Sequence, residues 1–292
     1  MLEYSYPLFR PPAEANNLIL QVTHGCSYNK CSFCSMYKTK KFKIKPLKDI
    51  YKQIDALADY YPDIIKIFLA DGDALTLDTK YLLQILQYLQ KNFPKLRRVS
   101  TYASTQNILS KSVSELKKLE ENRLNLFYYG IESGNDTLLK NINKGVTSKE
   151  IIKSLQMVNE TKIKISATII LGLGGKELSQ EHIKNTAQLV SQVKINYLST
   201  LQLGLEENES ENFYKNFPYF THLNDTEILK EQKELLAQIN PKSKIIFRSN
   251  HASNALHLAG TLPKDKESLL SQINQALLVG EEAFIPQILR GF

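Results

Sequence analysis

The stretch Leu18-Ile19-Leu20-Gln21-Val22-Thr23-His24-Gly25-Cys26-Ser27-Tyr28-Asn29-Lys30-Cys31-Ser32-Phe33-Cys34 decides how the chain is read. Its opening, Leu18 to Thr23, is a short apolar run of strand character, and it passes straight into a Cys-x4-Cys-x2-Cys loop. Cys26, Cys31 and Cys34 are the only cysteines in the chain. An odd, tightly clustered set makes a poor disulfide framework and a good ligand set for a metal or cluster in a reducing compartment. Two ligand chemistries follow. A tetrahedral zinc needs four protein ligands, with His24 as the fourth, in a Cys3His binding module of the kind that could serve RNA. A cube of four irons held by three thiolates instead leaves one iron with an open coordination position.

Outward from this loop, 292 residues with a net charge of +7, 42% hydrophobic and 23% charged, describe a globular chain with a substantial core. The excess charge is lysine rather than arginine, which gives no clear nucleic-acid signal. The start, MLEYSYPLFRPP, lacks a basic segment followed by an apolar one, and no apolar run is long enough for a membrane span, so a cytoplasmic protein is expected. Strand-like runs recur at Ile64 to Ala70, Arg98 to Ala103, Leu124 to Ile131, Ile163 to Leu171 and Ile195 to Leu203, with a seventh candidate from Lys244 to Arg248. Amphipathic patterns lie between them: Leu47, Ile50, Ile54, Leu57 and Tyr61 form one stripe, and Val113, Leu116 and Leu119 another. Thr147 with Glu150 reads as a capping box ahead of Ile151, Leu155 and Val158, and Asp225 as the cap of a later helix. Repeated βα units of this kind predict an α/β fold, a partial parallel (β/α)6-type TIM-like barrel over residues 1–220, followed by an α-rich C-terminal extension over 221–292.

With an aromatic residue, Phe33, ahead of its last cysteine, the loop resembles the cluster loop of the radical S-adenosylmethionine (radical SAM) superfamily. The commonest family spacing has three residues between the first two cysteines, and here there are four. The resemblance implies that Cys26, Cys31 and Cys34 hold a [4Fe-4S] cluster whose fourth iron is chelated by S-adenosylmethionine. It also implies that the cofactor is cleaved to a 5′-deoxyadenosyl radical that abstracts a hydrogen atom from a substrate.

In a parallel barrel the chemistry belongs in the loops after the strands. After the second strand, Asp71-Gly72-Asp73 resembles the family's Gly-Gly-Glu turn, which holds the amino group of the cofactor. After the third, Ser104 resembles a contact to the cofactor carboxylate, although helix capping accounts for it equally. After the fourth, Gly130-Ile131-Glu132-Ser133-Gly134 resembles the family's Gly-x-Glu-Ser-Gly, which gives Glu132 the ribose diol and places Ser133 beside it. After the fifth, Gly172 and Gly174 can admit an adenine or ribose close to the backbone. Arg248 and His251 follow the seventh run and are candidates to meet the substrate.

Once three cysteines hold one cluster, none remains for a second cluster, a thiyl radical or a methyl-carrying cysteine. Lys38, Lys40, Lys41, Lys43, Lys45 and Lys48 follow the loop closely. They read either as a solvated face or as a docking patch for an acidic flavodoxin or ferredoxin.

Overall fold

A computed structural model describes residues 4–205 and 207–291 of the chain. It divides into two compact units. The first comprises Met1–Asn29, Met36–Tyr129 and Gln156–Lys164, and the second Lys30–Ser35, Gly130–Leu155 and Ile165–Phe292.

In the first unit, β1 (Leu18–Gln21), β2 (Lys66–Ala70), β3 (Arg98–Ala103) and the part of β4 (Leu124–Glu132) up to Tyr129 pair in parallel and in chain order. Gln21 stands opposite Ala70, Leu69 opposite Thr101 and Ala103 opposite Tyr129. Such strands end level with one another, so the loops that follow them share one edge of the sheet. Ile67, Phe68, Leu69 and Ala70 are fully buried, as a strand covered on both faces requires. The crossovers are α1 (Leu47–Tyr60), α2 (Thr79–Asn92), and the pair α3 (Thr105–Leu109) and α4 (Val113–Glu121). α1 buries Ile50, Ile54 and Leu57 completely, about 1.5–3 kcal/mol for each side chain removed from water. Tyr61, the last member of its predicted stripe, lies past the helix end and is half exposed.

In the second unit, β5 (Lys164–Leu171), β6 (Tyr197–Gln202) and β7 (Ile245–Ser249) are parallel, with Leu171 opposite Gln202 and Ser199 opposite Arg248. The seventh predicted strand is therefore a true member of the parallel set. β8 (Leu258–Leu262) closes the edge antiparallel to β7. Helices α5 (Asp136–Asn141), α6 (Ser148–Asn159), α7 (Gly175–Gln192), α8 (Glu207–Asn216), α9 (Asp225–Gln238) and α10 (Lys266–Val279) follow in order. The stretch after residue 220 is thus α9 and α10 with two strands between them.

The Thr147–Glu150 capping box forms as expected, with the Thr147 N–H donating to Glu150 Oε2 at 2.7 Å. The cap of α9 falls one residue earlier than expected, on Asn224. Asp225 is instead engaged by the Arg290 guanidinium in a two-pronged ion pair of 2.7 and 2.8 Å, which ties the C-terminal segment to α9. Among the described residues, no helix is long and apolar enough to cross a membrane.

Candidate active site

Cys26 follows β1 and belongs to the first unit; Cys31 and Cys34 belong to the second. All three are half-buried, as is Phe33. After β1 a two-residue antiparallel ladder pairs Thr23 with Ile44 and His24 with Lys43, so the chain that leaves the cysteine loop returns beside the strand it came from. The His24 imidazole, fourth ligand of the zinc alternative, has its Nδ1 buried without a hydrogen-bond partner. Burial, together with the Lys45 and Lys40 charges, lowers its pKa.

The turn after β2 carries most of the first unit's candidate residues. Asp71 is fully buried. Its Oδ2 accepts from Lys40 Nζ at 2.6 Å, the Gly25 N–H at 2.9 Å and Gln21 Nε2 at 3.1 Å, while its Oδ1 is buried with no partner. Gly72 has no room for a side chain, because a Cβ there would collide with the Tyr37 ring. The Tyr37 hydroxyl is itself buried and unpaired, and burial raises its pKa. Asp73, also buried, accepts from the Ser27 hydroxyl and from the Asn107 side chain. Burial outweighs those bonds and pushes its pKa up to about 6.

Lys40, expected on an exposed basic patch, is instead inside. Its side chain is 6% exposed and ion-paired, so it is not part of any docking surface. Lys41, Lys43 and Lys48 are exposed. Ser104 caps α3 in a reciprocal box in which the Asn107 Oδ1 accepts, leaving the Asn107 side-chain NH2 to reach Asp73. The capping alternative for Ser104 therefore describes its observed bonds.

In the second unit, Glu132 ends β4 with φ of +61°, a left-handed backbone unusual for a glutamate. Its carboxylate folds back across Gly130, where an added Cβ would occupy the position of Oε1. That contact explains why the Gly-x-Glu spacing needs its glycine. Lys144 Nζ holds Oε1 at 2.9 Å.

The adjacent Ser133 is fully buried and committed elsewhere. His182 Nε2 faces the Ile170 carbonyl at 3.0 Å and must donate to it. His182 Nδ1 is therefore an acceptor, and it takes the Ser133 hydroxyl proton at 2.8 Å. Burial lowers the His182 pKa, which favours the neutral ring.

At the end of β5, Gly172 adopts φ of +76° and donates its N–H to Glu231 Oε1 at 2.6 Å. Gly174 starts α7 where a Cβ would press on the Leu178 backbone. The turn expected to admit a nucleoside is thus propped by Glu231 of α9. Arg248 is exposed on β7 and donates to the carbonyls of Phe247 and Gly260 at 2.7 and 3.4 Å. His251 is half-buried and shares Nδ1 with the Ser253 hydroxyl at 2.8 Å; burial lowers its pKa.

Lys40, Lys144, His182 and Glu231 carry structural roles at these strand ends that the sequence did not single out. The long-range bonds of Lys40, His182 and Glu231 have no local signal. Lys144 pairs with Glu132 across a short helix that the apolar pattern did not mark.

The donor set suits the implied group. Thiolates are soft ligands fitted to iron–sulfur centres. The unpaired Asp71 Oδ1 and the poised Asp73 carboxylate are acceptors suited to an ammonium. Among the described residues no three His, Cys, Asp or Glu side chains gather as a single-ion site. A four-iron cube distributes its three thiolates over three separate irons, so it does not require that convergence.

Comparison with known proteins gives a consistent picture. The family profile described as Radical SAM superfamily matches residues 20–190. A tRNA-2-methylthio-N(6)-dimethylallyladenosine synthase of Petrotoga mobilis is 23% identical over 176 residues, covering 58% of this chain and 40% of the relative. The chain spans about two fifths of the length of that curated relative. Among solved structures, coproporphyrinogen III oxidase (HemN) from Escherichia coli aligns with a TM-score of 0.57 at 14% identity, over 76% of this chain and 51% of that one. Methylornithine synthase (PylB) aligns with a TM-score of 0.53 at 13% identity, over 78% and 63% respectively. At these identities the structural likeness concerns the fold, which is the parallel α/β class expected from the alternating pattern.

Proposed function

We propose that this chain, which belongs to the radical SAM superfamily, is an enzyme that reductively cleaves S-adenosylmethionine and abstracts a hydrogen atom from its substrate. The observation that carries this reading is the three-cysteine loop issuing from β1 within the matched span. Cys26, Cys31 and Cys34 would hold a [4Fe-4S] cluster, which would supply the electron for reductive cleavage of S-adenosylmethionine.

The protein's own residues bind and orient. Asp71 Oδ1 and Asp73, either side of Gly72, accept the ammonium of the methionine moiety. Ser104 meets the carboxylate. Glu132, oriented by Lys144, accepts from the ribose hydroxyls, with Ser133 anchoring the strand end behind it. Phe33, Gly172 and Gly174 shape the space for the nucleoside. Arg248 and His251 are assigned to the substrate. Residues 1–220 carry the cofactor chemistry and 221–292 the extension, from which Glu231 supports the Gly172 turn.

An acidic flavodoxin or ferredoxin docking on Lys41, Lys43 and Lys48 supplies the electron. Three clustered thiols need a reducing compartment, which supports a cytoplasmic protein. The test is anaerobic incubation of the reconstituted, reduced protein with S-adenosylmethionine. The parent should release 5′-deoxyadenosine and a Cys34→Ala variant should not. A colourless, iron-free parent, or equal product from both, would overturn the reading.

A further inference from the structure

We propose that Asp71 and Lys40 form a positioning pair that presets the backbone of Cys26, a role beyond cofactor contact that rests on the cluster reading above. The residues on both sides of Cys26 are gripped by the same turn. Ahead of it, the Gly25 N–H donates to Asp71 Oδ2 at 2.9 Å; behind it, the Ser27 hydroxyl donates to Asp73. Asp71 has little freedom to move. Its backbone N–H donates to Thr23 Oγ1 at 3.2 Å, and its Oδ2 also receives Gln21 Nε2 and Lys40 Nζ.

Lys40 is equally constrained. Its three donors go to Asp71, to the Ser5 carbonyl at 2.7 Å and to the Pro7 carbonyl at 2.8 Å, which satisfies an ammonium completely. The lysine's own backbone also packs against Gly25, which holds φ of +71° with Lys40 atoms 3.3 Å from where a Cβ would stand. The pair thus fixes both the hydrogen bond and the conformation of the residue that enters the first cysteine.

Stability alone does not call for such a pair. Two charges taken from water recover little net free energy, and well-packed apolar residues of the same volume often do as well or better. A carboxylate held by an ammonium does, however, give a single, strongly directional acceptor for one backbone N–H. In the family's Gly-Gly-Glu turn, Asp71 occupies the position of the first glycine, so this acceptor belongs to this chain's own departure from the motif. Groups of this kind behind a metal ligand set its orientation, and their loss typically costs about 10–100-fold in metal affinity.

The test compares two double variants, K40M/D71N and K40M/D71L. Both remove the charge pair, and both replace Asp71 with a side chain of similar size. Only asparagine keeps an acceptor for the Gly25 N–H. Metal-free chains are examined by circular dichroism and thermal unfolding, then reconstituted anaerobically with ferrous iron and sulfide, without S-adenosylmethionine. Iron per chain and the electron paramagnetic resonance of the reduced cluster are read. Both variants should unfold cooperatively; K40M/D71N, which keeps an acceptor but loses the ammonium that holds it, should retain most of its iron with a broadened spectrum, and K40M/D71L should retain about tenfold less iron. Equal iron and identical spectra in the two variants would overturn the proposal. So would failure of both to fold, which would make the pair a requirement of the fold rather than of Cys26. A parent chain that takes up no iron would refute the cluster reading instead.

Discussion

Replacing Asp73 with asparagine isolates the cost of keeping a carboxylate out of water. Asp73 is 2% exposed, and burial carries its pKa from 3.8 up to about 6 against the opposing bonds from Ser27 and Asn107 and the nearby Lys111 charge. The folded chain therefore keeps this proton to higher pH than the unfolded chain does. Between about pH 4 and pH 6 the folded state binds more protons, so stability falls as pH rises through that window, and the penalty is complete above it. At 1.36 kcal/mol per unit of displacement, the penalty amounts to about 3 kcal/mol. Asparagine keeps the shape and one acceptor oxygen without the charge. Urea unfolding of the metal-free parent and D73N should show their stability difference moving in favour of D73N by about 3 kcal/mol between pH 4 and pH 7. A difference that does not change with pH, or that moves toward the parent, refutes the reasoning. If Asp73 receives the cofactor's ammonium, binding near pH 5 should release a proton from the parent and none from D73N.

Three further outcomes follow from the geometry. Gly130→Ala places a methyl group where the Glu132 carboxylate lies, the far end of a flexible side chain, so the fold should survive while S-adenosylmethionine affinity falls about tenfold or more by calorimetry. Ser133→Ala strips the buried His182 Nδ1 of its donor and the Asn135 N–H of its acceptor, and should cost about 1–3 kcal/mol in urea unfolding. An unchanged midpoint would show that the network is not satisfied as described. Charge reversal at Lys41, Lys43 and Lys48 should slow cluster reduction by an acidic donor protein at low salt and leave dithionite reduction unchanged, with the difference fading as salt rises.

Much of the fold was legible because parallel strands buried on both faces leave continuous apolar runs, as at Ile67 to Ala70 and Ile169 to Leu171. Helices with one buried stripe, such as α1, declare themselves by spacing. β8 escaped notice because Leu258-Ala259-Gly260-Thr261-Leu262 is short and pairs only at an edge.

The candidate site residues stand out in sequence as types in order at strand ends: three cysteines, two aspartates around a glycine, and a glutamate two after a glycine. What holds them did not. Lys40 appears in sequence as one lysine among six, and nothing local distinguishes the one that is buried on Asp71 from those that face water. Glu231 reads as a surface residue of an amphipathic helix, yet it accepts the Gly172 N–H from a distance of 59 positions. Buried ion pairs and side chain to backbone bonds of this range depend on which elements the topology brings together, and periodicity carries no record of that.

If three cysteines leave one iron bare, S-adenosylmethionine must bind the cluster directly. The most direct test of this is electron–nuclear double resonance on the reduced, reconstituted protein with cofactor labelled at the methionine amine nitrogen and carboxylate oxygen. Hyperfine coupling from both labels to the cluster is expected. A fully loaded cluster that shows coupling to neither, because a fourth protein ligand occupies that iron, would contradict it.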